Sequence, residues 1–118
     1  MTKQYFQTIL FLLFCHVLPL TVTAQTVNIP DANLRAVVEK ALGKASGATI
    51  TASDMAELTS LDARHANISN LTGLEGATKL TWLNLSYNYI SDISAVSGLT
   101  NLASIKIYKT KKSDNKAV

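Results

Sequence analysis

Apolar residues return along this chain at a fixed interval of 22 positions. Leu58, Leu61, Ala63, Ile68, Leu71, Leu74 and Ala77 recur as Leu80, Leu83, Leu85, Ile90, Ile93, Val96 and Leu99. Leu102, Ile105 and Ile107 open a third round that then stops. A period of this length marks a solenoid, in which each coil buries its apolar side only against its neighbours. The alternating stretch of each round predicts parallel strands over 58–63, 80–85 and 102–107, about 4.8 Å apart. The Ser- and Gly-rich stretch Ser91–Gly98 predicts loop or short 3₁₀ turns on the convex side. A solenoid is a surface for holding another molecule, so the pattern points to a class of function without naming the partner.

Upstream the period changes to that of a helix. Leu34, Val37, Val38, Ala41 and Leu42 fall at i, i+3, i+4, i+7 and i+8, a single apolar stripe. Pro30 suits the first helical position, Asp31 suits the positive end of the helix dipole, and Gly43 supplies the stop. Thr51-x-x-Asp54 is the start signal of a short second helix containing Met55. A helix with one apolar stripe is what the exposed first end of a solenoid core requires as a cover.

The spacing Leu80-x-x-Leu83-x-Leu85-x-x-Asn88-x-Ile90-x-x-Ile93-x-x-Val96-x-x-Leu99 resembles the leucine-rich repeat family in its short bacterial, internalin-like form. The match covers two full coils and part of a third. It implies an α/β fold: a short right-handed leucine-rich-repeat solenoid with a parallel sheet of about three strands. Internalin-like proteins carry a small helical cap before their repeats, and Ile29-Pro-Asp-Ala-Asn-Leu-Arg-Ala looks like one. The resemblance also implies that Asn88 bonds backbone groups where the strand turns its corner. The first coil departs from the pattern, because Ala66 stands where the family has Asn, so a looser first corner is expected.

The chain's 118 residues allow one domain. Its expected organisation is a signal peptide over 1–24, a helical cap over 25–57, repeats over 58–108 and a basic, disordered tail over 109–118. Lys3 precedes the apolar run Ile9–Leu18, and Val22-Thr-Ala24 fits the small-residue cleavage rule, so cutting is expected after Ala24. The run falls short of the roughly 20 residues that span a bilayer, so no membrane span is expected after cleavage. Cys15, the sole cysteine, would leave with the signal, removing disulfide and thiol chemistry from the mature chain. The expected location is therefore secreted or extracytoplasmic.

The net charge of +3 overstates the basicity of the folded part. Lys109, Lys111, Lys112 and Lys116 lie in the last ten residues, whereas 25–108 holds six basic side chains against seven acidic ones. A nucleic-acid-binding domain would spread basic residues with aromatics over a folded face; no nucleic-acid partner is expected here.

Candidate contacts follow from strand alternation. With Leu83 and Leu85 inward, the outward columns are Ser60–Trp82–Ser104, Asp62–Asn84–Lys106, Arg64–Ser86–Tyr108 and His65–Tyr87–Lys109. The inward columns are uniformly apolar and these are mixed. Asp62, Arg64, His65, Trp82, Asn84, Tyr87, Lys106 and Tyr108 are the candidate partner-binding residues, since Trp, Tyr and Arg dominate binding hot spots. The plain alternative is ordinary surface, on which single aromatics are common. His65 has no Cys, Glu or second His at ligand spacing in the mature chain, so neither metal nor other cofactor is expected. No serine is marked as a nucleophile, so the expectation is a non-enzyme. Asn67-Ile-Ser69, Asn70-Leu-Thr72 and Asn84-Leu-Ser86 match the glycosylation pattern, but the repeat's own composition explains them. A protein or peptide ligand on the concave face is expected, with weak self-association through the exposed third strand as a second mode. A three-strand patch offers only a few hundred Å², against about 800 Å² per partner in a specific interface. A piece that completes a longer solenoid is the alternative function.

Overall fold

A computed structural model describes residues 25–110. The expected signal segment, Cys15 and the lysines of 111–118 lie outside the described residues.

Helix α1 (Ala32–Ala41) begins two residues later than the proline rule suggests. Asp31 is its N-cap, with Oδ1 accepting from the amides of Asn33 and Leu34 at 3.0 and 3.1 Å, and Pro30 precedes the cap. Leu34 and Val38 are buried; Val37 and Leu42 are half-buried, and Ala41 is exposed. Glu39 is buried too, because its carboxylate accepts from Arg35 at 2.9 Å and from the Gly47 amide at 3.0 Å. Gly43 has φ 69°, the left-handed value that ends a helix without steric cost. Helix α2 (Ala52–Ala56) opens with a capping box, Thr51 Oγ1 accepting from the Asp54 amide and Asp54 from the Thr51 amide. Those bonds and Lys44 lower the Asp54 pKa to about 2.

Three parallel strands follow in the order β1 (Ser60–Asp62), β2 (Trp82–Asn84), β3 (Ser104–Lys106). They are shorter than the apolar pattern suggests, but backbone bonds prolong the ladder: Ala63 donates to Asn84, and His65 to Ser86. The pairs Ser60–Trp82–Ser104 and Asp62–Asn84–Lys106 lie in register, which is the 22-residue offset expressed as contact. Each full coil returns through a 3₁₀ turn, Leu74–Gly76 and Ser94–Val96.

The core is continuous from Ile29, Leu34, Val38, Ile50 and Met55 of the cap into the repeat leucines. Gly73 marks how closely the lead segment packs: a Cβ there would stand 2.7 Å from Ile29 Cγ1 and 3.0 Å from the Asn28 carbonyl oxygen. Burial fades along the solenoid. Leu61 and Leu83 are buried, whereas Ile105 and Ile107 are 38% and 37% exposed. Ile93 is 46% exposed although its counterpart Leu71 is buried. The reason is positional: Leu71 has a following coil to pack on, and among the described residues Ile93 has none.

Candidate functional site

The columns of the concave sheet end at a bend that repeats with the coils. His65, Tyr87 and Lys109 have φ of 51°, 61° and 56°, so one left-handed residue sits at the same place in every round. Such a conformation is costly for non-glycine residues and needs surrounding bonds to hold it. Asn88 provides them. Its Oδ1 accepts from the amides of Ala66 and Ile68 at 3.0 and 3.1 Å, and its Nδ2 donates to the carbonyls of Ala63 and Leu85 at 2.7 and 2.8 Å. The corner of the first coil is thus closed by a side chain of the second, and Ala66 does not leave it open.

The regular bend aligns the side chains of three coils. The His65 imidazole stacks on the Tyr87 ring with centroids 4.2 Å apart and planes 10° apart. Tyr108 meets Tyr87 edge-on at 5.4 Å, and Lys109 Nζ stands 5.6 Å from the Tyr87 centroid. Beside this ladder Arg64 holds Asp62 in a two-pronged pair, Nε to Oδ1 at 2.9 Å and Nη2 to Oδ2 at 2.8 Å. The Arg64 guanidinium lowers the Asp62 pKa, and Asp62 in turn raises that of Arg64. Trp82 is half-buried, between Ser60 and Ser104 in its column. Lys106 is exposed.

Two outward positions are not available to a partner. Asn84, a candidate contact from alternation alone, is 3% exposed, and its Oδ1 accepts from the Ser86 amide at 3.1 Å. Ser86 is fully buried between Arg64 and Tyr108 in its column, and its Oγ has no hydrogen-bond partner. Ser86 disappears between the longer side chains of Arg64 and Tyr108, and Asn84 lies between Asp62 and Lys106 on the flanking strands. The remaining candidates, Asp62, Arg64, His65, Trp82, Tyr87, Lys106 and Tyr108, share one face.

That face has a border that alternation could not show. An open groove lies between α1 and β1, lined by Val37, Lys40 and Ala41 on the helix and by Ser60, Asp62 and His65 on the sheet side. No group of three metal-ligating side chains occurs among the described residues.

No family model matches the sequence. Internalin J of Listeria monocytogenes serotype 4b (strain F2365) is 40% identical over 64 residues, which are 54% of this chain and 7% of that protein. The internalin inlF from Listeria monocytogenes str. 4b F2365 superposes with a TM-score of 0.64 at 31% identity, over 67% of this chain and 24% of that one. The chain is an internalin-like leucine-rich-repeat protein. A structure of the CBM51-2 and INT domains of Clostridium perfringens ZmpB also matches this internalin-like chain, at 35% identity and TM-score 0.64, over 71% of it and 18% of that chain. Internalin C2 of the same Listeria strain reaches a TM-score of 0.69 over 80% of this chain and 43% of that one; at 23% identity that likeness is one of fold alone. The internalin-like chain therefore spans only a small part of the relatives it matches. Among its described residues no helix is long and apolar enough to cross a membrane.

Proposed function

We propose that this internalin-like protein is a secreted, non-catalytic recognition module that binds a protein or peptide ligand on its concave face. The His65–Tyr87–Tyr108 ladder carries this reading. Three coils place aromatic rings in mutual contact on a face whose inward counterpart is wholly apolar, and pre-ordered rings lose little entropy on binding. Trp82, Asp62, Arg64 and Lys106 extend the same face. The apolar run before Val22-Thr-Ala24 supports export. Trp82→Ala and Tyr87→Ala should fold normally yet lose the ligand in a pull-down from the native environment. Unfolding of both variants would mean that these side chains serve the core instead.

A second reading, an assembly piece, is favoured by one observation. Ile93 of the second coil and Ile105, Ile107 and Tyr108 of the third are exposed apolar side chains among the described residues. Another chain or a further coil docking there would extend the solenoid. Light scattering of the full chain separates the two readings, since a strict monomer at high concentration argues against assembly.

A further inference from the structure

The folded part is near neutral, yet its unpaired charges are sorted by face. Four ion pairs engage Arg35, Lys44, Arg64 and Lys79 with Glu39, Asp54, Asp62 and Glu57. Among the described residues this leaves Lys40, Lys106 and Lys109 without a carboxylate partner. Lys40 borders the groove between α1 and β1. Lys106 stands in the column of Asp62 and Asn84, two strand spacings from Asp62 or about 10 Å. Lys109 stands over Tyr87. The carboxylates outside ion pairs are elsewhere and committed to backbone amides: Asp31 to Ser69 and Asn70, Glu75 to Gly73, Asp92 to Ser94. Glu75 and Asp92 share a groove on the 3₁₀ side. The concave side therefore attracts anions, and the opposite side repels them.

We propose that the ligand of the concave face is an acidic, partly apolar peptide that crosses the coils from Lys40 to Lys106 and Lys109. This rests on the recognition reading above and gives its ligand a chemistry. Carboxylates of the peptide pair with the three lysines. An apolar side chain rests on Ala41 and on the part of half-buried Val37 that faces the groove. The Asp62–Arg64 pair lies between the cationic points, and its carboxylate would repel a uniform chain of phosphates. A nucleic acid would also need open ring faces for its bases. Here His65 covers one face of Tyr87, and Tyr108 and Lys109 crowd the ring further.

Trp82 is the sole tryptophan of the chain and sits on this face, so its emission reports occupancy directly. The full chain is titrated with short peptides repeating Glu-Leu-Gly, Gln-Leu-Gly or Lys-Leu-Gly, with an oligothymidylate, and with phosphatidylglycerol vesicles. The Glu peptide should shift Trp82 emission saturably and bind about tenfold more tightly than the Gln peptide, with the difference vanishing near 1 M salt. Lys40→Glu, Lys106→Glu and Lys109→Glu should each weaken it about tenfold. Lys79→Glu, beside Glu57 and away from the face, should leave it unchanged. Equal response to all three peptides would overturn the acidic assignment while leaving a concave binding face in place. No Trp82 response to any peptide would overturn it as well. So would tighter binding of the oligonucleotide or the vesicles, or binding seen by anisotropy without a Trp82 shift, which would locate the contact at lysines off this face.

Discussion

Asn88 Oδ1 accepts the Ala66 amide proton at 3.0 Å across 22 residues of sequence. One side chain thus satisfies the corner of the coil before its own, and coils one and two cannot bend independently. The position equivalent to Asn88 in the third coil is Thr110, whose Oγ1 donates to the Ile107 carbonyl at 3.5 Å in an exposed bond. A threonine has no side-chain amide, so it cannot reproduce the paired donor and acceptor that Asn88 uses.

Asn88→Ala should cost about 3 kcal/mol or more, because it strands several buried amides and carbonyls at about 1–3 kcal/mol each. Asn88→Asp should fare no better. It keeps the acceptor for Ala66 and Ile68 but turns a carboxylate toward the carbonyls of Ala63 and Leu85. Urea denaturation monitored by circular dichroism measures both; wild-type stability in either would sink this account of the corner.

Asp31 joins the cap to the repeats. Its Oδ1 caps α1 while Oδ2 accepts from the amides of Ser69 and Asn70, at 2.9 and 3.0 Å. Burial opposes its charge, but the amides of Ser69, Leu34, Asn70 and Asn33 together outweigh burial and lower its pKa below 3.8. A carboxylate depressed on folding adds stability that is complete above its unfolded pKa and is lost as pH falls through the lower folded one. Asp31→Asn retains an N-capping oxygen but presents an NH₂ to the donors of the first coil. It should lose about 1–2 kcal/mol at neutral pH. Its urea midpoint should fall less than that of wild type as the pH drops below about 4. Parallel midpoint curves for the two proteins would refute the assignment.

Ser86→Ala should be neutral or stabilising by up to about 1 kcal/mol, since it removes a buried hydroxyl that has no partner. A clear loss of stability would show that Oγ makes a bond with water or ligand, and thermal melts of the two proteins suffice to decide.

The sequence carried the repeat, the strand register, the 3₁₀ returns and the Thr51 capping box, because each is a local or strictly periodic pattern. It did not carry contacts that join distant segments. Nothing near Asp31 signals Ser69, and nothing near Glu39 signals the Gly47 amide that lets a charge be buried. The candidate face was legible in its columns, but alternation assigns direction and not exposure. Asn84 and Ser86 point outward and are nevertheless covered, because both belong to the middle coil and have side chains of the first and third coils on either side. The groove beside Lys40 depends on where α1 packs, which is a tertiary fact. The left-handed column His65–Tyr87–Lys109 had no residue signal, since none of the three is Gly or Asn.

Stability should fall along the solenoid from the cap toward the third strand. A chain of coils is stabilised by nearest-neighbour contacts, and the first coil has the cap on one side and the second coil on the other. Leu61 and Leu83 are buried, whereas Ile105 and Ile107 are more than one-third exposed and gain less than the roughly 1.5–3 kcal/mol of full burial. Thr110 stands where the third coil would carry the counterpart of Asn88. Amide exchange should therefore be slowest around Leu61 and Leu83 and fast beyond Leu102, because opening the last strand breaks one interface and leaves the other intact. Uniform protection through Ile107 at low protein concentration would contradict this gradient. Protection that grows with concentration would instead show a second copy covering β3, the outcome that favours assembly over a free-standing recognition module.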